Sequence, residues 1–439
     1  SATSSFYRIH FYGSVTQHSS GYGPGTTYLG YADVATDGSG TASISATLAA
    51  NVAVGSFVTA TATQATDGSY SAFTDTSEMA RNIAAVSSTQ ATVTVDTTGN
   101  ASDGDTSSLS ALIANKGADG VISLREAITA ANNTANGASA DRIVFDIAGT
   151  GAHTIGVTSA LPSVTDAVVI DATTDASHAA NGSRPAIVLD GNALAADGLV
   201  LAAGAGGSTV RGLVIRDFGG HGIRIDAGAD GNTIAGNYIG ALSTTGASAG
   251  AAEANGGMGV QIFSNGNAIG GTGRGGGNDI AGNATHGIEP NFGAGANLLQ
   301  GNLIGLDAGG TVALGNDAGI NIGNASHGNT IGGTAAGAGN TISGNAGVAI
   351  WVDNSSATVI EGNLIGTSAD GGSLVANGSS NIMLYAAANT VVGGSTPQAG
   401  NVIVGSGGAG VWIADAGATG NLIQGTSWAR TRAAPRTGA

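Results

Sequence analysis

The chain has 439 residues, more than one ordinary core requires, so two domains, or an elongated repeat with a satellite module, is the starting expectation. It contains 77 glycines, 6 prolines, 10 % charged and 42 % hydrophobic residues, without strict third-residue glycine; this argues against collagen, a disordered tail and long helices, whose interior glycines each cost about 1 kcal/mol. A net charge of −16, with Lys116 the single lysine, disfavours nucleic acid and anionic membranes, and the lack of cysteine removes disulfides, thiolate metal sites and cysteine nucleophiles.

Residues 1–84 carry strand-like runs at Tyr7–Tyr12, Thr27–Val34, Thr41–Leu48 and Phe57–Thr63, separated by turn signals such as Asp37-Gly38 and Asp67-Gly68. That spacing predicts a small antiparallel β-sandwich. Residues 85–208 predict an introductory and capping segment: strands at Val93–Asp96, Ile143–Phe145, Val168–Ile170 and Ile187–Leu189, and a helix over Leu124–Asn132. Ser123 followed three residues on by Glu126 predicts a capping box, and a helix there covers strand edges that would otherwise template aggregation. No run reaches the length of a membrane span, so no membrane insertion is expected, and the first 30 residues lack the basic start and apolar stretch of a signal peptide.

From 209 to 425 a repeat governs the chain. The phrase Asn232-Thr-Ile-Ala-Gly-Asn237-Tyr-Ile-Gly returns as Asn297-Leu-Leu-Gln-Gly-Asn302, as Thr358-Val-Ile-Glu-Gly-Asn363 and as Asn421-Leu-Ile-Gln-Gly. A second phrase alternates with it, at Asn267, Asn329 and Asn389, each followed by a further asparagine at Asn278, Asn340 or Asn401. Between them lie short apolar patches of period two, such as Ile320-Asn321-Ile322. Three short strands per coil, turned by Gly and Asn, predict a parallel β-helix of about eight coils and ~40 Å. Its core is Ile, Val and Leu, and its aligned asparagines bond along the stack. The expected fold class is therefore all-β, a right-handed parallel β-helix preceded by the small antiparallel β-sandwich; left-handed forms usually show stricter hexapeptides. The final residues, 426–439, abandon the pattern and read as an aberrant tail.

The stretch Asp119-Gly-Val-Ile-Ser-Leu-Arg-Glu-Ala-Ile-Thr-Ala-Ala-Asn-Asn133, with Asp141-Arg-Ile-Val-Phe145, resembles the SLREAI-type segment that introduces right-handed parallel β-helix regions in large bacterial surface and secreted proteins. The family often has Cys before that Ser, where this chain has Ile122. The first module is similar to the immunoglobulin-like modules that accompany such regions, matching at Val58-Thr-Ala-Thr-Ala-Thr63 and Thr27-Tyr-Leu-Gly30. The resemblance implies an extracellular or cell-surface bacterial protein, often adhesive, and brings no catalytic motif with it.

Aligning the third strand of each coil places Arg224, Asp226, Phe263, Glu289, Trp351, Tyr385 and Trp412 on one outward face. The aromatic members, Phe263, Trp351, Tyr385 and Trp412, are the expected substrate-binding residues, because sugar rings stack on such faces. The same aromatics also suit a face shielded by a loop or a neighbouring subunit. Asp217, His221, Arg224, Asp226 and Glu289, with Arg216 and His286 nearby, form the densest ionisable group and are the candidate acid–base residues if the protein is an enzyme. Exposed strands and turns need polar residues in any case. The expected partner is a polysaccharide or cell-surface glycan, bound or, in the alternative reading, cleaved by a hydrolase or lyase. No resident metal or cofactor is expected, although Asp103-Gly-Asp105 and Asp226 to Asp230 offer carboxylates to Ca²⁺. An enzyme would have its ionisable cluster in a groove walled by the insertions at 241–256 or 367–380.

Overall fold

The structure is a computed structural model; it describes residues 5–428 except 24, 38–40, 43, 45–51, 54, 85–89 and 274. Contacts divide the chain into two compact units, Ser1–Thr89 and Gln90–Ala439.

In the first unit the strand Phe6–Ser14 lies between Thr27–Ala35 and Phe57–Ala65, antiparallel to both, with Phe73–Thr76 and Ile83–Ala84 pairing onto Phe57–Ala65. Among the described residues this is one antiparallel sheet. The strand expected over Thr41–Leu48 falls largely outside the described residues, so a second layer is not part of this description. Arg8 ties the sheet's face together by donating to both carboxylate oxygens of Asp33 and lying 4.0 Å over the Tyr31 ring.

The second unit is a parallel β-helix of three sheets with eleven, ten and eight strands, here sheets I, II and III. From Val168–Asp171 onward each coil visits I, II and III in turn. The eight strands of sheet III mark eight complete coils, and a final pair, Leu422–Gln424 and Ser427–Trp428, extends sheets I and II. The stack begins well before residue 209: Thr92–Val95 is already the edge strand of sheet I, followed by Asp141–Phe145 and Val168–Asp171. It also continues past residue 426, because Val402 and Ile403 pair with Ser427 and Trp428; the remainder of the expected tail, 429–439, lies outside the described residues.

Strands of two to five residues make up most coils, and alternation turns every second side chain inward. One residue per coil enters from sheet I, such as Ile234, Ile269, Leu299 and Ile331, and two enter from most strands of sheet III, such as Ile320 with Ile322; all are fully buried. These aliphatic residues stack on one another in the adjacent coils, which is why a chain with so little aromatic content still forms one continuous core.

Asparagine holds the corners. At the turn from sheet I to sheet II, Asn237, Asn278, Asn302, Asn340, Asn363 and Asn401 form a buried ladder in which each Oδ1 accepts the backbone N–H and side-chain Nδ2 of the preceding rung. A parallel ladder before sheet I joins Asn232, Asn267, Asn297 and Asn329. Glycine follows the strand where the chain bends hardest: at Gly270 (φ +91°) and Gly332 (φ +91°) an added Cβ would sit 2.0 Å from the carbonyl oxygens of Gln300 and Glu361.

The amino-terminal end of the β-helix is plugged. Helix α1 (Leu109–Ala114) and helix α2 (Leu124–Asn132) bury Leu109, Leu112, Leu124, Ala127 and Ile128 against Val93, Val95, Ile143 and Phe145. Ser123 and Glu126 form the expected capping box. Glu126 is fully buried and does more than cap: its Oε1 also accepts from the N–H groups of Asp103 and Gly104, which anchors the preceding loop.

Candidate functional site

The outward side of sheet III carries two aligned rows. In the first, Val200, Arg224, Gln261, Glu289, Asn321, Trp351, Met383 and Trp412 follow one another coil by coil. In the second, Asp353 pairs with Tyr385, while Asp226 and Phe263 lie two residues beyond Arg224 and Gln261. The face thus changes character along its length, polar at the amino-terminal coils and aromatic or thioether towards the carboxy-terminal ones. Trp351 is half-buried, whereas Tyr385 and Trp412 are 40 % and 46 % exposed. The Trp351 indole N–H is buried without an acceptor.

In the polar half, Arg224 is clamped. Its Nε and Nη2 donate to Oδ1 and Oδ2 of Asp226 at 2.8 and 3.2 Å, and its Nη1 donates to Asp197 at 2.9 Å. Asp197 also accepts from the His221 backbone N–H, and His221 Nδ1 accepts from the Met258 N–H at 3.0 Å. An Nδ1 that accepts cannot carry a proton, which fixes the neutral tautomer; burial pushes the imidazole below its ordinary value in the same direction, and Asp197 opposes it. Glu289 points along the outward row yet is only 4 % exposed. Asn291 and Asn321 donate to its Oε1 at 2.9 and 3.1 Å, and His286 Nδ1 lies 3.3 Å from its Oε2. The carboxylate is therefore held by neighbours in its own and the next coil.

Asp217 does not join this network. It sits at positive φ (+56°) near the end of a sheet II strand, and one of its carboxylate oxygens lies within 4.8 Å of those of Asp190 and Glu253. Arg216 bridges the latter two at 3.0 and 3.3 Å. The other carboxylates considered for calcium are engaged locally: Asp103 accepts from the Ala118 N–H, Asp105 from Ser107, and Asp230 from Asn265.

A concavity of about 620 Å³ opens beside Asp226, lined by Phe263, Phe292 and small alanines. The two phenyl rings lie 5.9 Å apart, tilted by 32°, and Phe292 is 71 % exposed. Phe292 escapes a strand-by-strand reading because it stands in the turn after a strand, at φ +50°. The insertions expected to wall a groove do something else. The segment after Gly240, with its counterparts at 306–314 and 367–374, closes as a small antiparallel loop beside sheet II. Leu242, Ala308 and Leu314 pack on Val188, Val214, Tyr238 and Ala281, so the first two of these loops cover sheet II.

No protein-family model matches the sequence, and no curated protein does. Among solved structures the chain is similar to the periplasmic alginate epimerase AlgG, with a TM-score of 0.40 and 14 % identity over 66 % of this chain and 60 % of that one. It is also similar to the enzymatically active domain of bacteriophage CBA120 tailspike protein 2, with a TM-score of 0.43 and 11 % identity over 86 % of this chain and 48 % of that one. The catalytic unit of a GH87 alpha-1,3-glucanase from Streptomyces thermodiastaticus gives a TM-score of 0.31 and 14 % identity over 97 % of this chain and 86 % of that one. The chain therefore spans less than two thirds of the epimerase and about half of the tailspike domain. Among the described residues no helix is long and apolar enough to cross a membrane.

Proposed function

We propose that this chain engages an extended polysaccharide along the outward face of sheet III, as an extracellular or cell-surface protein of adhesive or structural role. One observation carries the reading: Trp351, Met383 and Trp412 occupy the same outward position in three successive coils, with Tyr385 in the adjacent row. At about 4.8 Å per coil the two indoles stand ~10 Å apart along the axis, a span comparable to a disaccharide. Regularly spaced flat apolar surfaces beside polar groups suit a chain of sugar rings better than a compact ligand. The extracellular setting rests on the resemblance of residues 119–145.

A second reading, polysaccharide cleavage, is favoured by one feature, the pair of half-buried His286 and buried Glu289 two coils from the Arg224–Asp226 pair on the same face. Against it, Glu289 already accepts from two asparagines and Asp226 is clamped by arginine, which suits structural roles. The test is a panel of neutral and acidic polysaccharides, scored by affinity electrophoresis for binding and by reducing ends and unsaturated-product absorbance for turnover. Retention without turnover, weakened by Trp351→Ala and Trp412→Ala, supports the binding face. Turnover abolished by Glu289→Gln or Asp226→Asn replaces it with the enzymatic reading.

A further inference from the structure

The corner between sheets I and II holds a second, larger concavity, of about 980 Å³, none of whose lining residues belongs to sheet III. Its walls include Arg184, Arg211, Tyr238, Asp279 and the small residues Gly271 to Gly273 and Gly275 to Gly277. Asp279 is the unexpected member. Its outward position on sheet II is taken by Tyr238 in the preceding coil and by Leu303, Thr341, Leu364 and Val402 in those that follow, so packing alone calls for no carboxyl there. Among the described residues that carboxyl has no hydrogen bond or ion pair; burial, aided by the charge of Asp307, pushes it up to about 7. Across the same pocket the Nδ1 of His178 is buried and unpartnered.

The opposing charge is positive and incompletely neutralised. Arg184 donates from Nε and Nη1 to the backbone carbonyls of Asn181 and Thr245, at 2.9 and 3.0 Å, and has no carboxylate partner among the described residues. Arg211 shares the buried Asp171 with Arg142, so one aspartate serves two guanidiniums. Each guanidinium has five N–H donors; Arg184 spends a third, weaker one on Asn181 Oδ1 at 3.4 Å, whereas Arg211 bonds only Asp171 among the described residues. Asp279 and Arg184 both lie close enough to Tyr238 to act on its hydroxyl in opposite senses. In a chain of net charge −16 this is a local basic patch beside an acceptor and a phenol.

We propose that this corner pocket is a binding site for an acidic sugar unit, a uronate within an oligosaccharide, whose carboxylate meets Arg184 and Arg211 while its hydroxyls meet Asp279 and Tyr238. A free inorganic anion would use the arginines but leave Asp279 and Tyr238 without a role; a neutral sugar would leave the guanidiniums without one. The site is independent of the sheet III face. The charge that acts on Asp279 is that of Asp307, from the loop after the next sheet II strand; Tyr238 stands beside it on the neighbouring strand, and Arg184, Arg211 and His178 line the same pocket. Burial holds His178 below its ordinary value and pushes Tyr238 up to about 12, while Asp279 is raised to about 7.

The experiment is calorimetric titration of the full chain with a galacturonate trimer and, in parallel, a galactose trimer, at about pH 6 and about pH 8. The acidic trimer should bind saturably and the neutral one more weakly. Arg184→Gln should weaken the acidic trimer by about fivefold or more without lowering the thermal midpoint, and Arg211→Gln, which also takes a partner from the buried Asp171, should weaken it by a similar factor at a temperature where that variant is folded. Affinity should fall from the lower to the higher pH as Asp279 ionises beside the ligand anion, and Asp279→Asn should abolish that fall. Trp351→Ala and Trp412→Ala should leave this binding unchanged, which separates it from the sheet III reading. Absence of saturable binding, equal binding of both trimers, loss with the tryptophan variants, or an unaltered pH dependence in Asp279→Asn overturns the proposal.

Discussion

An Asn302→Ala substitution removes a middle rung of the corner ladder between sheets I and II, and the structure sets the size of the effect. The Asn302 Oδ1 accepts from the backbone N–H and from Nδ2 of Asn278, both at 3.0 Å, and its Nδ2 donates to the Ile269 carbonyl at 2.8 Å and to Asn340 Oδ1 at 2.9 Å. All four bonds lie at a position 1 % exposed, where water does not replace them. The Asn278 N–H loses its acceptor, at about 1–3 kcal/mol, and the three other bonds contribute about 0.5–1.5 kcal/mol each. The rungs form one coupled network, so the terms do not simply add, and a loss of about 3–5 kcal/mol is expected. Asn421, at the carboxy-terminal end of the ladder before sheet I, is half-buried and makes two bonds, to the Thr390 N–H and the Ala387 carbonyl; its replacement by alanine should cost about 1 kcal/mol. A stack of coils need not unfold in one step, so the assay is urea unfolding read together with hydrogen exchange at 278–304. If Asn302→Ala costs no more than Asn421→Ala, the ladder does not stabilise the coils and the reasoning fails.

Glu126→Ala should cost about 2–4 kcal/mol, because it leaves the buried N–H of Ser123 and the partly covered N–H groups of Asp103 and Gly104 without their carboxylate acceptor. Thermal unfolding with hydrogen exchange at α1 and α2 checks this, and native protection in those helices would contradict it. Asp279 should make stability fall with rising pH. Its folded-state value of about 7 lies above that of an unfolded aspartate, so between roughly pH 4 and pH 7 the native state keeps a proton that the unfolded state has released. The stability present below the unfolded value is thus progressively lost through that window, by about 2–4 kcal/mol after allowance for partial exposure to the pocket. Urea midpoints across that range should decline in the native chain relative to Asp279→Asn; parallel curves would show that the carboxyl is not perturbed.

The coil pattern was legible because asparagine and isoleucine recur at fixed offsets within each phrase, and the ladders at Asn232 and Asn237 answer to that spacing. Asn389 shows its limit. Its phrase holds one extra residue, so Thr390 takes the rung and Asn389 turns outward at φ +53°. A third ladder, through Asn255, Asn283, Asn316, Asn345 and Asn377, went unread because the sheet II loops before it vary in length. The early coils were hidden too: Thr92–Val95 and Asp141–Phe145 stack as later strands do but lack the asparagine phrase. At the site, alternation puts Glu289 and Trp351 in the outward row of sheet III but could not show that Asn291, Asn321 and His286 enclose the Glu289 carboxylate. Asp279 was invisible for the converse reason. Alternation marks it as an exposed strand residue, and its desolvation comes from loops and neighbouring coils far away in sequence.

The central claim, a polysaccharide face on sheet III, is tested most directly by the tryptophans themselves. Trp351, Trp412 and Trp428 are the only indoles in the chain, so Trp428→Phe leaves emission from the proposed face alone. Titration of that variant with a polysaccharide it retains in affinity electrophoresis should give a saturable blue shift, because Trp412, 46 % exposed, becomes covered. The shift should shrink in Trp412→Ala, with affinity at least about tenfold weaker, a loss of ~1.4 kcal/mol. Retention of the polysaccharide with unchanged tryptophan emission would place the ligand elsewhere and contradict the account.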